Sequence, residues 1–98
     1  MIVSIVRFEP EGVSPEEIKT SFKSSAERFA TMPGLIRKIC CYDAPQNSCT
    51  IIYLWESREA AERCFSERAG IEKFREHFRC LTEIDYHHVV TIVDGPAA

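Results

Sequence analysis

The chain has 98 residues, 45% of them hydrophobic and 28% charged, with a formal net charge of −3. That length bounds it to one domain with a thin core, and no apolar run approaches the ~20 residues that span a bilayer. The acidic balance argues against a nucleic-acid surface, because phosphate neutralisation needs Lys and Arg clustered on one face, whereas here they are scattered among acids.

Residues Ile2 to Phe8 are rich in β-branched side chains and carry apolar groups on both parities, so both faces of this strand need cover. A strand pattern that begins at Met1, with no cationic region, long apolar core or cleavage site, predicts no secretory signal and a cytoplasmic protein. Ser14-Pro15-Glu16-Glu17 supplies an N-cap, a Pro at the first helical position and a capping-box Glu. A helix is therefore expected from Pro15, with Ile18, Phe22, Ala26, Phe29 and Ala30 forming one apolar stripe opposite Lys19, Lys23, Glu27 and Arg28.

Met32-Pro33-Gly34 stops that helix. Leu35 to Tyr42 then reads as a strand near a sheet edge, with Arg37 and Lys38 set among Leu35, Ile36, Ile39 and the adjacent Cys40 and Cys41. The short Ala44–Ser48 connection to a third strand, Cys49 to Trp55, predicts an antiparallel hairpin. Ser57 caps a further helix whose Ala60, Ala61, Cys64 and Phe65 face one way. Gly70 bends or divides this segment before Ile71, Phe74 and Phe78 repeat the stripe.

The last strand is expected from about Thr82 to Val93, again with neither face plainly polar. Residues 1–94 form the single domain on this reading, and residues 95–98 are a short mobile tail. The order strand, helix, strand, strand, helix, strand is that of a ferredoxin-like split βαβ sandwich (βαββαβ), an α+β fold with a four-stranded antiparallel sheet. Its two helices cover one face only, so the second apolar face predicts a homodimer.

With these elements in place, three pieces carry a family resemblance: the Met32-Pro33-Gly34-Leu35 entry into the second strand, the Tyr53-Leu54-Trp55-Glu56-Ser57 exit from the third followed by Glu59-Ala60, and a hydrophobic closing strand after Phe74 and Phe78. In them the chain resembles the dimeric α+β barrel superfamily, especially the small cofactor-independent oxygenases grouped with antibiotic-biosynthesis monooxygenases. The resemblance implies a dimeric α+β barrel, no cofactor, and a small aromatic or polyketide-like substrate held between sheet and helices. It also implies that Trp55 lines that pocket. The haem-degrading relatives carry an Asn on the first strand and a His on the helix about ten residues after the Trp. Val3, Ser4, Ile5 and Val6 on the strand and Phe65 on the helix depart from that pattern, so haem chemistry ranks below the other readings.

Tyr53 shares strand parity with Trp55, so a phenol and an indole project from one face toward an aromatic ligand, or simply fill core. His87 and His88 are adjacent, so their rings point to opposite faces; a histidine base could take the proton of a phenol or anthrone, and His88 is preferred because it shares the parity of Tyr86. The expected catalytic set is His88, Trp55 and Tyr53. The expected substrate pocket is Phe22, Arg37, Phe74, His77, Tyr86 and His87. Arg37 would orient a carboxylate or carbonyl if the second strand borders the pocket.

Five cysteines, Cys40, Cys41, Cys49, Cys64 and Cys80, are odd in number and lack a Cys-x-x-Cys spacing, which points to reduced, mostly buried thiols. His77 and Cys80 form one ligand pair, and two ligands do not make a metal site. The readings in competition are a cofactor-free monooxygenase and a non-catalytic dimer that binds or senses a small hydrophobic molecule.

Overall fold

The computed structural model describes residues 1–66 and 83–97. Within them lie β1 (Ile2–Phe8), α1 (Pro15–Ser24), α2 (Ala26–Ala30), β2 (Leu35–Asp43), β3 (Ser48–Trp55), α3 (Arg58–Ser66) and β4 (Glu83–His88). The strands form one antiparallel sheet in the order β2-β3-β1-β4, the expected ferredoxin-like α+β arrangement. Phe74, His77, Cys80 and the expected bend at Gly70 lie outside the described residues.

β1 is central, as its two apolar parities require. Ile2, Ser4, Val6 and Phe8 are buried on the helix side, and Val3 and Ile5 are half-buried on the other. α1 starts on the expected capping box. The Ser14 hydroxyl accepts from the Glu17 N–H at 3.2 Å, and the Glu17 carboxylate accepts from the Ser14 N–H at 3.3 Å.

The single helix expected from Pro15 is divided at Ser25. The Ser24 and Ser25 hydroxyls donate to the Ser21 and Phe22 carbonyls at 3.0 and 2.9 Å, which competes with the helical ladder, while Ser25 keeps right-handed helical dihedrals. At Gly34, φ is +81°, and a Cβ there would fall onto the Ala60 Cβ. Only glycine meets both demands, and this close approach seats the start of α3 against the entry to β2.

β2 and β3 form the expected hairpin. Asn47 turns it with φ +49°, and its side-chain amide donates to the Pro10 carbonyl at 2.6 Å, tying the hairpin to the end of β1. β4 is shorter than the expected 82–93 strand. It ends at His88 because His88 pairs with Ile2, the first residue of β1, and beyond it only Val89 finds a ladder-like partner, the Met1 carbonyl at 3.1 Å. Val90, Ile92 and Val93 are exposed.

The core lies between the sheet and the helices, where Val6, Phe8, Cys49, Ile51, Tyr53 and Trp55 meet Ile18 of α1 and Ala60 and Ala61 of α3. On the opposite face Val3, Ile5, Ile52 and Leu54 are half-buried and Ile39 is 45% exposed. None of the described helices is long and apolar enough to cross a membrane.

Candidate active site

β3 passes through the middle of the sheet, so alternate residues Tyr53 and Trp55 both meet the helices. Their rings stack, with centroids 5.6 Å apart and planes 14° from parallel. Phe65 of α3 stands edge-on to both, at 5.3 Å from Tyr53 and 6.2 Å from Trp55. Phe29 of α2 flanks Tyr53 at 5.9 Å, and Tyr86 of β4 flanks Phe65 at 6.4 Å. A row of aromatic rings thus crosses the sheet beneath the helices.

Trp55 is fully buried, and its indole N–H donates to the Ser4 hydroxyl at 2.9 Å. The N–H is therefore committed within the protein rather than offered to a ligand oxygen, and Ser4 is a partner that the strand pattern alone did not single out. Tyr53 is only 4% exposed, and burial pushes its phenol well above the usual tyrosine range, so it stays protonated.

Between α1–α2 and the β2 edge lies a cleft of about 260 Å³. Phe22 and Phe29 supply rings, Leu35 and Ile36 apolar wall, and Lys38 and Cys40 the groups from β2. Phe22, one of the expected pocket residues, borders this cleft. Arg37 also borders the cleft, but it is exposed and its register partner is Leu54, on the sheet face away from the helices.

A β-bulge between Leu35 and Arg37 is the cause. One extra residue shifts the side-chain parity of everything after it, turning Arg37 outward and Lys38 inward opposite Tyr53. Lys38 Nζ lies 3.4 Å from the Phe29 ring centroid and 5.3 Å from that of Tyr53. Desolvation lowers its pKa to about 8, with the Arg28 charge acting in the same direction and the Cys40 and Cys64 thiols opposing it. Burial raises the Cys40 thiol in turn.

The remaining expected residues sit elsewhere. His88 shares the helix side with Tyr86, since they pair with Ile2 and Ser4, yet it is exposed at the β4 edge, three strand spacings or roughly 14 Å from β2. His87 pairs with Val3 on the face away from the helices, outside any cavity beneath them. Tyr86 is half-buried under the Arg58 guanidinium, 4.7 Å from its ring, and burial raises its phenol. Among the described residues, no three His, Cys, Asp or Glu groups converge as metal ligands would.

Solved structures share this architecture. SnoaB, a cofactor-independent oxygenase from Streptomyces nogalater, is 21% identical with a TM-score of 0.73, over 96% of this chain and 97% of that one. A "putative antibiotic biosynthesis monooxygenase" from Deinococcus radiodurans is 13% identical with a TM-score of 0.71, over 96% and 97%. A protein of the same description from Nitrosomonas europaea is 17% identical with a TM-score of 0.72, over 93% and 100%. At these identities the likeness is one of fold. No curated protein matches the sequence. Residues 3–89, nearly the whole sheet-and-helix unit, match the family described as "Putative mono-oxygenase ydhR", and the chain belongs to that family.

Proposed function

We propose that the protein is a cofactor-independent monooxygenase acting on a small aromatic or polyketide-like molecule bound between the sheet and the helices. The carrying observation is the cleft of about 260 Å³ with Phe22 and Phe29 in its wall, next to the Tyr53–Trp55 stack. That volume is slightly below the ~300–1,000 Å³ of common ligand sites, which suits a small planar molecule. The substrate loses a proton to a base and becomes an electron-rich anion, which reacts with O2 directly. For an anthrone, one oxygen atom enters the product as a carbonyl and the other leaves as water, so no external reductant is needed.

Family membership supports the reaction class, and the likeness to SnoaB, itself a cofactor-independent oxygenase, supports cofactor independence. The direct test supplies an anthrone and labelled O2 to the purified protein. One labelled oxygen in the product and stoichiometric oxygen uptake are expected, with Trp55→Phe and His88→Ala as comparisons. Uptake no faster than buffer alone would overturn the reading.

One observation favours a second reading, a non-catalytic dimer that binds or senses a hydrophobic ligand. Tyr53 and Trp55 are sealed, and the Trp55 N–H is already taken by Ser4. That reading predicts saturable anthrone binding without oxygen uptake.

A second copy of the chain is the inferred cover for the sheet face bearing Val3, Ile5, Ile39, Ile52 and Leu54. Native mass spectrometry should give a dimer, and Ile39→Lys should shift it to monomer. A monomeric parent protein at micromolar concentration would remove this part of the proposal.

A further inference from the structure

The cleft holds a cation, the Lys38 ammonium, that no anion among the described residues matches. Among the described residues no carboxylate lies at ion-pair distance from Lys38, whose ammonium instead lies against the faces of Phe29 and Tyr53. Stripping water from an ammonium is costly, and aromatic faces return only part of that cost. The neighbouring elements do not neutralise it either. α2 brings Arg28, itself 4.9 Å from the Phe29 ring, β3 brings the buried Tyr53 phenol, and Cys40 and Cys64 supply thiols.

We propose that Lys38 is the proton acceptor and anion partner of this cleft, and that the ligand it takes is a phenol or enol whose single acidic O–H meets Nζ. The proposal rests on the monooxygenase reading for its place in a reaction, although the binding chemistry stands apart from turnover. In the step, the lone pair of the neutral amine takes the substrate proton. The O–H bond breaks, its electron pair stays on the substrate oxygen, and an ammonium–phenolate pair results. A lysine offers one point charge rather than the planar fork that matches a carboxylate, so a one-oxygen anion beside an aromatic ring fits it better. The Phe22 and Phe29 rings of the cleft wall provide the face for that ring. His88 cannot share the step from the opposite edge of the sheet.

The test uses 4-nitrophenol, whose absorbance separates phenol from phenolate, titrated against the intact protein across pH. An opposite charge within hydrogen-bond reach should lower the bound phenol's pKa by roughly one unit or more. Lys38→Met should abolish that shift and weaken binding about tenfold or more. Lys38→Arg should keep the shift, since it keeps the charge, but should lose at least about a hundredfold in anthrone-dependent oxygen uptake, since a guanidinium accepts no proton.

A bound phenol that titrates at its free value, no binding at millimolar probe, or a shift that survives Lys38→Met would each overturn the proposal. So would unchanged turnover in Lys38→Arg. A Lys38-dependent shift without oxygen uptake in the parent protein would instead sink the monooxygenase reading and leave the anion site standing.

Discussion

Replacing Ser4 by Ala tests whether the Trp55–Ser4 hydrogen bond organises the centre of the fold. Both residues are fully buried, and the bond is 2.9 Å long. The substitution removes the acceptor and leaves an indole N–H in an apolar setting, which costs about 1–3 kcal/mol. A value near 2 kcal/mol corresponds to a fall in Tm of about 8–16 °C for a domain of this size. Urea unfolding followed by the emission of Trp55, the only tryptophan of the chain, measures it directly, with m expected to stay constant. The partner control is Trp55→Phe. In that background no N–H remains to be orphaned, so Ser4→Ala should cost at least about 1 kcal/mol less than in the parent protein. Additive losses, or a Ser4→Ala protein within about 0.5 kcal/mol of the parent, would refute the reasoning.

Gly34→Ala should cost at least about 2 kcal/mol, because it combines a positive φ with a Cβ driven into Ala60, and Ala60→Gly should recover part of the loss by opening that contact; thermal unfolding of the three variants decides this. Asn47→Ala should cost about 1–2 kcal/mol, whereas Asn47→Gly should cost less, since glycine keeps the left-handed turn and loses only the bond to Pro10; urea midpoints would show the order. Lys38 is protonated less readily in the folded protein than in the unfolded one, so the unfolded state holds more protons between about pH 8 and 10.5 and stability climbs with pH there. Lys38→Met lacks this climb. Its Tm advantage over the parent protein should be largest at pH 7 and shrink by pH 10, and a gap that does not change with pH would contradict the burial of the amine.

Much of the fold was legible because its signals are local. The Ser14–Glu17 box, the Gly34 stop, the short hairpin turn and the Ser57 start each need only a few neighbouring residues. The features that escaped depend on distant pairing or on competition within a turn. The end of β4 is set by where β1 begins, which no window around Val90 contains. The division at Ser25 comes from hydroxyls that compete for carbonyls inside an otherwise good helical stripe. The site was harder to read. Alternation from Leu35 sends Arg37 toward the helices and Lys38 outward, and the bulge at that point exchanges them. Tyr53 and Trp55 were expected to share a face, and they do. The commitment of the Trp55 N–H to Ser4 needed the β1–β3 register, in which Ser4 is opposite Tyr53.

The central position of β1 also bears on how the chain reaches this fold. β2 and β3 are joined by a short turn and can pair as soon as both exist. β1, by contrast, must find β3 and then β4, and Ile2 meets His88 from near the other end of the sequence. Such non-local pairings place this domain among slower folders than a helical bundle of equal size. During synthesis β1 leaves the ribosome before β3 and β4, the strands it pairs with. Ile2, Val6 and Phe8 therefore remain open to solvent, or to a chaperone, until β3 is paired and the helices pack onto that face.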